Sequence, residues 1–212
     1  MKSVSHRIAL TVASAAAAAS LTGCGVNAIP TKEEHAKQAW ANVQSTYQRR
    51  SDLIPNLVAT VKGYAAQEKS VLVEVTQARA SATSVTVDPS RVPDPATFQK
   101  YANAQGALSA SLGRLLLVQE RYPDLKSNAN FMALQSELEG TENRINIARR
   151  DFNEAATDYN ISLRTFPTVI WAKTFYGSSH AMPLFTAAAQ AQTAPSVDFS
   201  QPGATPAPAA PK

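Results

Sequence analysis

An all-α fold, an antiparallel up-and-down bundle of long helices, is what this sequence predicts. Three observations carry that expectation. Apolar side chains recur at alternating steps of three and four along three long stretches, the rhythm that keeps one seam of a helix facing its neighbours. The last stretch, from Ser127 to Phe166, holds the rhythm for about five heptads without a proline, as a coiled-coil rod does. Pro89, Pro93, Pro95, Pro123 and Pro167 lie at joints between stretches, where a ring that lacks an N–H ends one helix or starts the next. With 212 residues, less a leader and a tail, the chain has room for one core.

The first element reads as an address. Lys2, His6 and Arg7 precede an apolar and small-residue run from Ile8 to Leu21, the layout of a secretory signal. About 14 residues are too few for a spanning helix, which needs about 20. Leu21-Thr22-Gly23-Cys24 follows directly and resembles the lipobox of bacterial lipoproteins, with the chain's one cysteine at the acceptor position. That resemblance implies cleavage between Gly23 and Cys24 and lipid attachment to Cys24, with a thioether-linked diacylglycerol and an amide-linked acyl chain such as palmitate. Several acyl chains make an anchor that does not readily leave a bilayer. The competing readings of Cys24 are a small buried residue or part of an uncleaved anchor helix. Gly25 in place of Asp after the cysteine favours the outer membrane in a two-membrane cell; otherwise the outer face of the plasma membrane is expected. The expected division is a leader over 1–23, a tether over 24–31, a helical bundle over 32–180 and a disordered tail over 181–212. That tail is rich in Ala and Pro, with Pro195, Pro202, Pro206, Pro208 and Pro211.

Within the bundle, Lys32 to Arg50 is rich in helix formers and sets Trp40, Val43 and Tyr47 on one stripe. The stripe continues through Ile54, Leu57 or Val58, Val61 and Tyr64, then Leu72 and Val75, ending near Ala80. Pro55 removes a backbone donor and crowds the preceding turn, so a kink or break is expected over Asp52 to Pro55, with Gly63 a second weak point. Asp88 to Pro95 holds three prolines and reads as a connection; Asp94-Pro95 supplies an N-cap and a first-turn proline. Phe98, Tyr101, Gln105, Leu108, Leu112, Leu115, Gln119 and Tyr122 form the next seam. The long rod follows with Phe131, Leu134, Leu138, Thr141, Ile145, Ala148, Phe152, Ala155, Tyr159, Ser162 and Phe166. Its outer face carries Glu137, Glu139, Arg144, Arg149, Arg150, Glu154 and Asp158, a pattern expected of a solvated, salt-bridge-laced surface. Pro167 ends the rod, and Thr168 to Tyr176 reads as a short apolar helix closed by Gly177.

Composition narrows function more by exclusion than by assignment. Without Lys2 and Arg7 the formal charge falls from +4 to +2, spread along the chain. A nucleic-acid surface would need clustered Lys and Arg with interleaved aromatics. One cysteine forbids an intrachain disulfide, a redox pair or a Cys-based zinc site. There is no Gly-x-Ser-x-Gly elbow and no phosphate-cradling glycine loop. His35 and His180 lie near the ends of the expected bundle, and Glu154 with Asp158 lacks the inward Glu-x-x-His partners of a carboxylate-bridged metal site. No catalytic residue, metal site or cofactor is therefore expected. Asp52, Asn56 and Lys62, around Pro55, are the candidate partner-binding residues, because polar side chains at a helix interruption can engage a partner's backbone. The alternative is that Asp52 and Asn56 merely cap the broken helix.

The stretch Gln48-Arg49-Arg50-Ser51-Asp52-Leu53-Ile54-Pro55-Asn56-Leu57-Val58, continuing with Thr60-Val61-Lys62-Gly63-Tyr64-Ala65 and Glu68, resembles the LemA family signature. So do Tyr122-Pro123-Asp124-Leu125-Lys126-Ser127-Asn128, Asn130-Phe131, Thr141-Glu142-Asn143-Arg144-Ile145, Ala148-Arg149-Arg150, Tyr159-Asn160 and Phe166-Pro167. The resemblance covers about 32–177 and implies an antiparallel helical bundle at a bacterial membrane, without implying a reaction. Family members resemble one another in carrying an amino-terminal transmembrane helix, and the shorter leader here departs from that pattern. The expected role is a non-catalytic scaffold or adaptor of the cell envelope, tethered through lipidated Cys24 and docking another envelope protein; a homo-oligomer is compatible with it. The alternatives are an accessory factor in envelope proteolysis or stress response, and a hydrolase with an unrecognised site.

Overall fold

Alternating apolar steps become helices whose seams meet along one long axis. The computed structural model describes residues 25–88 and 90–186. Over these residues the chain is helical, with no strand. Helix α1 runs over Ala28–Tyr64, α2 over Lys69–Ser84 and α3 over Pro95–Leu117. A tight 3-10 turn, Val118–Arg121, leads into the one-turn α4, Pro123–Lys126. Then come α5, Ala129–Ser162, and α6, Thr168–Thr174. The all-α bundle is thus as expected.

Helices α1 and α5 form the spine and share the most extensive packing. They run antiparallel: Ile29 meets Tyr159 in one cluster, while the Tyr64 hydroxyl accepts a hydrogen bond from Asn128 at the other end. At about 1.5 Å per residue, the 37 residues of α1 reach roughly 55 Å. On α1 the buried residues Ala36, Trp40, Val43, Tyr47, Arg50, Ile54, Leu57 and Val61 form an alternation of four and three, with Ile29 and Ser51 buried as well. Helices α2 and α3 pack on each other and close the half of the spine near Tyr64, where Leu57, Val61, Leu72, Val75, Leu108, Leu112, Leu115 and Phe131 share a core. The middle is aromatic. Trp40, Phe98, Phe152 and Phe185 pack with ring centroids 4.6–6.2 Å apart. The other end is capped by α6 against Ile29 and Tyr159.

Helix starts follow side-chain chemistry. Asp94 accepts hydrogen bonds from the amides of Ala96 and Thr97 at 3.0 and 3.1 Å, with Pro95 at the first helical position. Asn128 accepts from the Phe131 amide at 2.9 Å, so α5 starts at Ala129, two residues after the expected Ser127.

Several expectations need correction. The expected interruption over Asp52 to Pro55 does not break α1, which continues through Pro55 to Tyr64. A proline orphans the carbonyl four residues earlier, here that of Ser51. Arg79 of α2 donates its Nε–H to that carbonyl at 2.9 Å. The break comes instead at Ala65, beyond Gly63, where the backbone leaves the helical region and α2 turns back. Buried Ala65 belongs to the core there, and nearby Glu68 accepts from Tyr122 Oη at 3.0 Å and pairs with Arg121 at 2.9 Å. The expected tether over 24–31 is helical from Ala28, because Ile29 is buried against the α6 end. Tyr64 and Phe166 leave their expected seams and are exposed; α5 has ended at Ser162, before Phe166 is reached. Ala156 is buried where Ala155 was expected.

The chain also stays packed past residue 180. Asn160 donates to the Met182 carbonyl and accepts from its amide, at 2.9 and 2.7 Å. Asn153 does the same for Phe185, at 2.8 Å each way. The two asparagines, two helical turns apart, act as a ladder for an extended strap, and Phe185 enters the aromatic core with Arg149 over its ring at 4.7 Å.

Candidate functional site

The heptad on α1 steps from Tyr47 to Arg50 to Ile54, so an arginine occupies a seam position. Arg50 is 0% exposed. A guanidinium so placed must be paired, since an isolated buried charge is prohibitively costly. Arg50 Nη1 donates to Ser109 Oγ at 2.5 Å and to Glu142 Oε1 at 2.8 Å. Its Nη2 donates to Gln105 Oε1 at 2.6 Å and to the Gln105 carbonyl at 3.2 Å. The plane also lies 4.9 Å from the Tyr47 ring. Gln105 sits on the α3 seam, and Thr141, one residue before Glu142, on that of α5. One polar layer therefore crosses three helices between two apolar clusters.

Beside this layer a cleft of about 460 Å³ opens between α1, α3 and the end of α2. Gln44, Tyr47, Ser51, Tyr101 and Gln105 line it on one side, and Thr83, Val85, Thr86 and Val87 on the other. Gln44 Oε1 and Ser51 Oγ are buried without a hydrogen-bond partner among the described residues. Burial pushes the Tyr47 and Tyr101 phenols up from their ordinary range, so both are neutral donors at physiological pH. The cleft offers amide and hydroxyl groups to a guest, in the manner of a site that holds backbone or other polar uncharged groups. It brings no carboxylate and base together for proton transfer.

The expected partner-binding residues lie elsewhere. Asp52, Asn56 and Lys62 are exposed on the outward sector of α1, together with Pro55. Because α1 is continuous there, Asp52 and Asn56 cap nothing. Asp52 accepts from Gln48 Nε2 at 2.7 Å, and the Asn56 carbonyl accepts from Thr60 Oγ1 at 2.9 Å. The side chains of Asn56 and Lys62 have no side-chain partner among the described residues. Gln48 lines the cleft, so its bond to Asp52 links the two surfaces. Gly23 and Cys24 lie outside the described residues, as does the tail from residue 187.

The rod's outer charges are spent in ordinary ways. Glu137 pairs with Arg49 at 2.5 Å and Arg150 approaches Asp151 at 3.6 Å. His35 comes beside Glu154 and Asp158 in a shallow surface hollow. No group of three or more His, Cys, Asp or Glu able to hold a metal ion occurs among the described residues, and no described helix is long and apolar enough to cross a membrane. The Arg50 layer escaped sequence reasoning. Its signal, a charged residue on an otherwise apolar heptad, was present.

The LemA family model matches residues 39–199 of this chain, covering the spine from Ala39 onward, the polar layer and the strap. Among curated proteins, the chain is similar to magnetosome protein MamQ of Magnetospirillum gryphiswaldense, at 27% identity over 66% of this chain and 58% of the relative. It is equally similar to magnetosome protein MamQ 2 of Paramagnetospirillum magneticum, at 27% identity with the same shares. It is also similar to protein LemA of Metamycoplasma hominis, at 24% identity over 67% of this chain and 61% of the relative. The matches thus span less than two thirds of those relatives' own length.

Proposed function

The chain belongs to the LemA family, and from that premise we propose that it is a lipid-tethered, non-catalytic scaffold of the bacterial cell envelope that docks a protein partner on α1. The observation that carries this reading is the surface running from the cleft to Asp52, Asn56 and Lys62. Two atoms in its wall able to accept, Gln44 Oε1 and Ser51 Oγ, have no hydrogen-bond partner among the described residues, and the adjoining outward strip carries Asn56 and Lys62 without side-chain partners there. An extended peptide segment supplies backbone N–H groups that suit such acceptors. A cofactor-like small molecule suits the place less well, since the opening is wide and its polar groups are uncharged.

Relatives named as magnetosome proteins, and none named for a reaction, support a scaffold over an enzyme. Tethering rests on the lipobox-like Leu21-Thr22-Gly23-Cys24, whose resemblance implies lipid on Cys24 and hence a body held at a membrane surface. The docking test is site-specific photocrosslinking in cells, from Asn56 and from Thr86 on the opposite lip of the cleft. A discrete adduct with the same envelope protein from both positions, absent from a position on the α5 outer face such as Arg150, is expected. Equal background at all three positions would overturn docking on α1.

A further inference from the structure

The end of the bundle next to the leader gathers exposed apolar side chains into one short stretch of chain. Over residues 161–175, four large apolar side chains stand in solvent: Ile161 at 48% exposure, Phe166 at 81%, Ile170 at 47% and Phe175 at 71%. The same stretch carries Arg164 and Lys173, both exposed, and no acidic residue. Trp171 packs against Phe175 with ring centroids 5.6 Å apart. A stretch of this kind, apolar and aromatic with two cations, matches the composition that settles at the headgroup level of an anionic bilayer, while Glu33, Glu34 and Asp158 lie on the neighbouring turns of α1 and α5.

The path of the chain names the occupant. Gly25, the first described residue, lies against this end: a Cβ added there would come 3.2 Å from Trp171 Nε1 and 4.0 Å from Pro167 Cγ. The described chain therefore begins beside Trp171 and Pro167. Cys24 is the residue before Gly25, and consecutive Cα atoms are about 3.8 Å apart. Acyl chains on Cys24 would hold this end of the rod at the lipid surface, with no linker long enough to keep Phe166 and Phe175 away from it.

We propose that the α6 end is a bilayer-seating face: Phe166, Ile170 and Phe175 enter the headgroup–acyl boundary, Arg164 and Lys173 meet anionic headgroups, and the α1–α5 spine projects from the membrane. This rests on the tethered reading of Cys24. It also places Asp52, Asn56 and Lys62 on the half of α1 that points away from the lipid.

The test uses the mature lipidated protein reconstituted in phosphatidylethanolamine–phosphatidylglycerol vesicles. Cys24 is the chain's one cysteine and is blocked when acylated, so a fluorophore can be placed by Phe166→Cys, Phe175→Cys, Lys62→Cys or Leu117→Cys. Leu117 is 67% exposed on the half of the molecule away from α6, and controls for apolarity alone. Quenching by brominated acyl chains several-fold stronger at 166 and 175 than at 62 and 117 is expected. Flotation with the vesicles but equal quenching at all four positions would overturn the seat and leave the tether standing. Strong quenching at 166 and 175 without lipid on Cys24 would keep the seat and overturn the tether. No flotation would overturn both. Self-quenching between labels at 166, without quenching by bromolipid, would make this end a contact between two copies and overturn the seat.

Discussion

Arg50 shows how one residue can be obligatory without being catalytic. Its two terminal nitrogens serve Ser109, Glu142 and Gln105, which lie 55 to 92 positions away in sequence. A polar residue at one seam position costs stability compared with a good apolar fit, and its best-attested use is to hold register between helices. Removing it leaves Gln105 Oε1 buried without its donor, at about 1–3 kcal/mol, takes a partner from half-buried Ser109, and opens a cavity besides. Arg50→Ala is therefore expected to lower the unfolding free energy by at least about 3 kcal/mol, measured by urea denaturation monitored by circular dichroism. Glu142 is partly exposed and can turn to water, so a loss below about 1 kcal/mol would show that water replaces the guanidinium as well.

Among the elements, α1 is the instructive case. Its sequence contains a proline at the position where a helix should fail, and the failure is averted by a side chain from another helix. Arg79 supplies the Ser51 carbonyl with the donor that Pro55 lacks. The two residues should therefore be coupled. Arg79→Ala is expected to cost about 1–3 kcal/mol in the native chain, and clearly less when combined with Pro55→Ala, which restores the backbone N–H. A double-mutant cycle in thermal or urea unfolding measures that difference; strict additivity would mean the Arg79 contact contributes nothing through Ser51. The strap over 181–186 follows the same logic, with Asn153 and Asn160 meeting backbone groups that no helix or sheet satisfies.

Across the whole molecule the shape follows from two helices of 37 and 34 residues packed side by side. Helices α2 and α3 cover one half of that spine, and the strap with α6 completes the other. On the proposed reading, with one end seated at a membrane and the Asp52–Lys62 strip well along the spine, the molecule would bring together a lipid surface and a second protein. Cys24→Ser is expected to leave a precursor that retains the leader and incorporates no labelled fatty acid, read by mass shift and metabolic palmitate labelling. Unchanged processing and labelling would remove the tether, and with it the geometric basis for the scaffold.

Periodicity alone determined the three seams, the proline-rich connection before α3 and the all-helical class, because greasy residues on one helical face bury whatever they face. It could also expose Asp52, Asn56 and Lys62, since polar residues on an outward sector need no partner. What only the tertiary structure decided was where polarity goes inside. Whether Arg50 belongs in the core, whether α1 survives Pro55 and whether residues beyond 180 pack all depend on groups from distant parts of the chain, Gln105 and Glu142, Arg79, and Asn153 with Asn160. A buried polar atom is tolerable only when its partner arrives, and local spacing carries no record of that arrival.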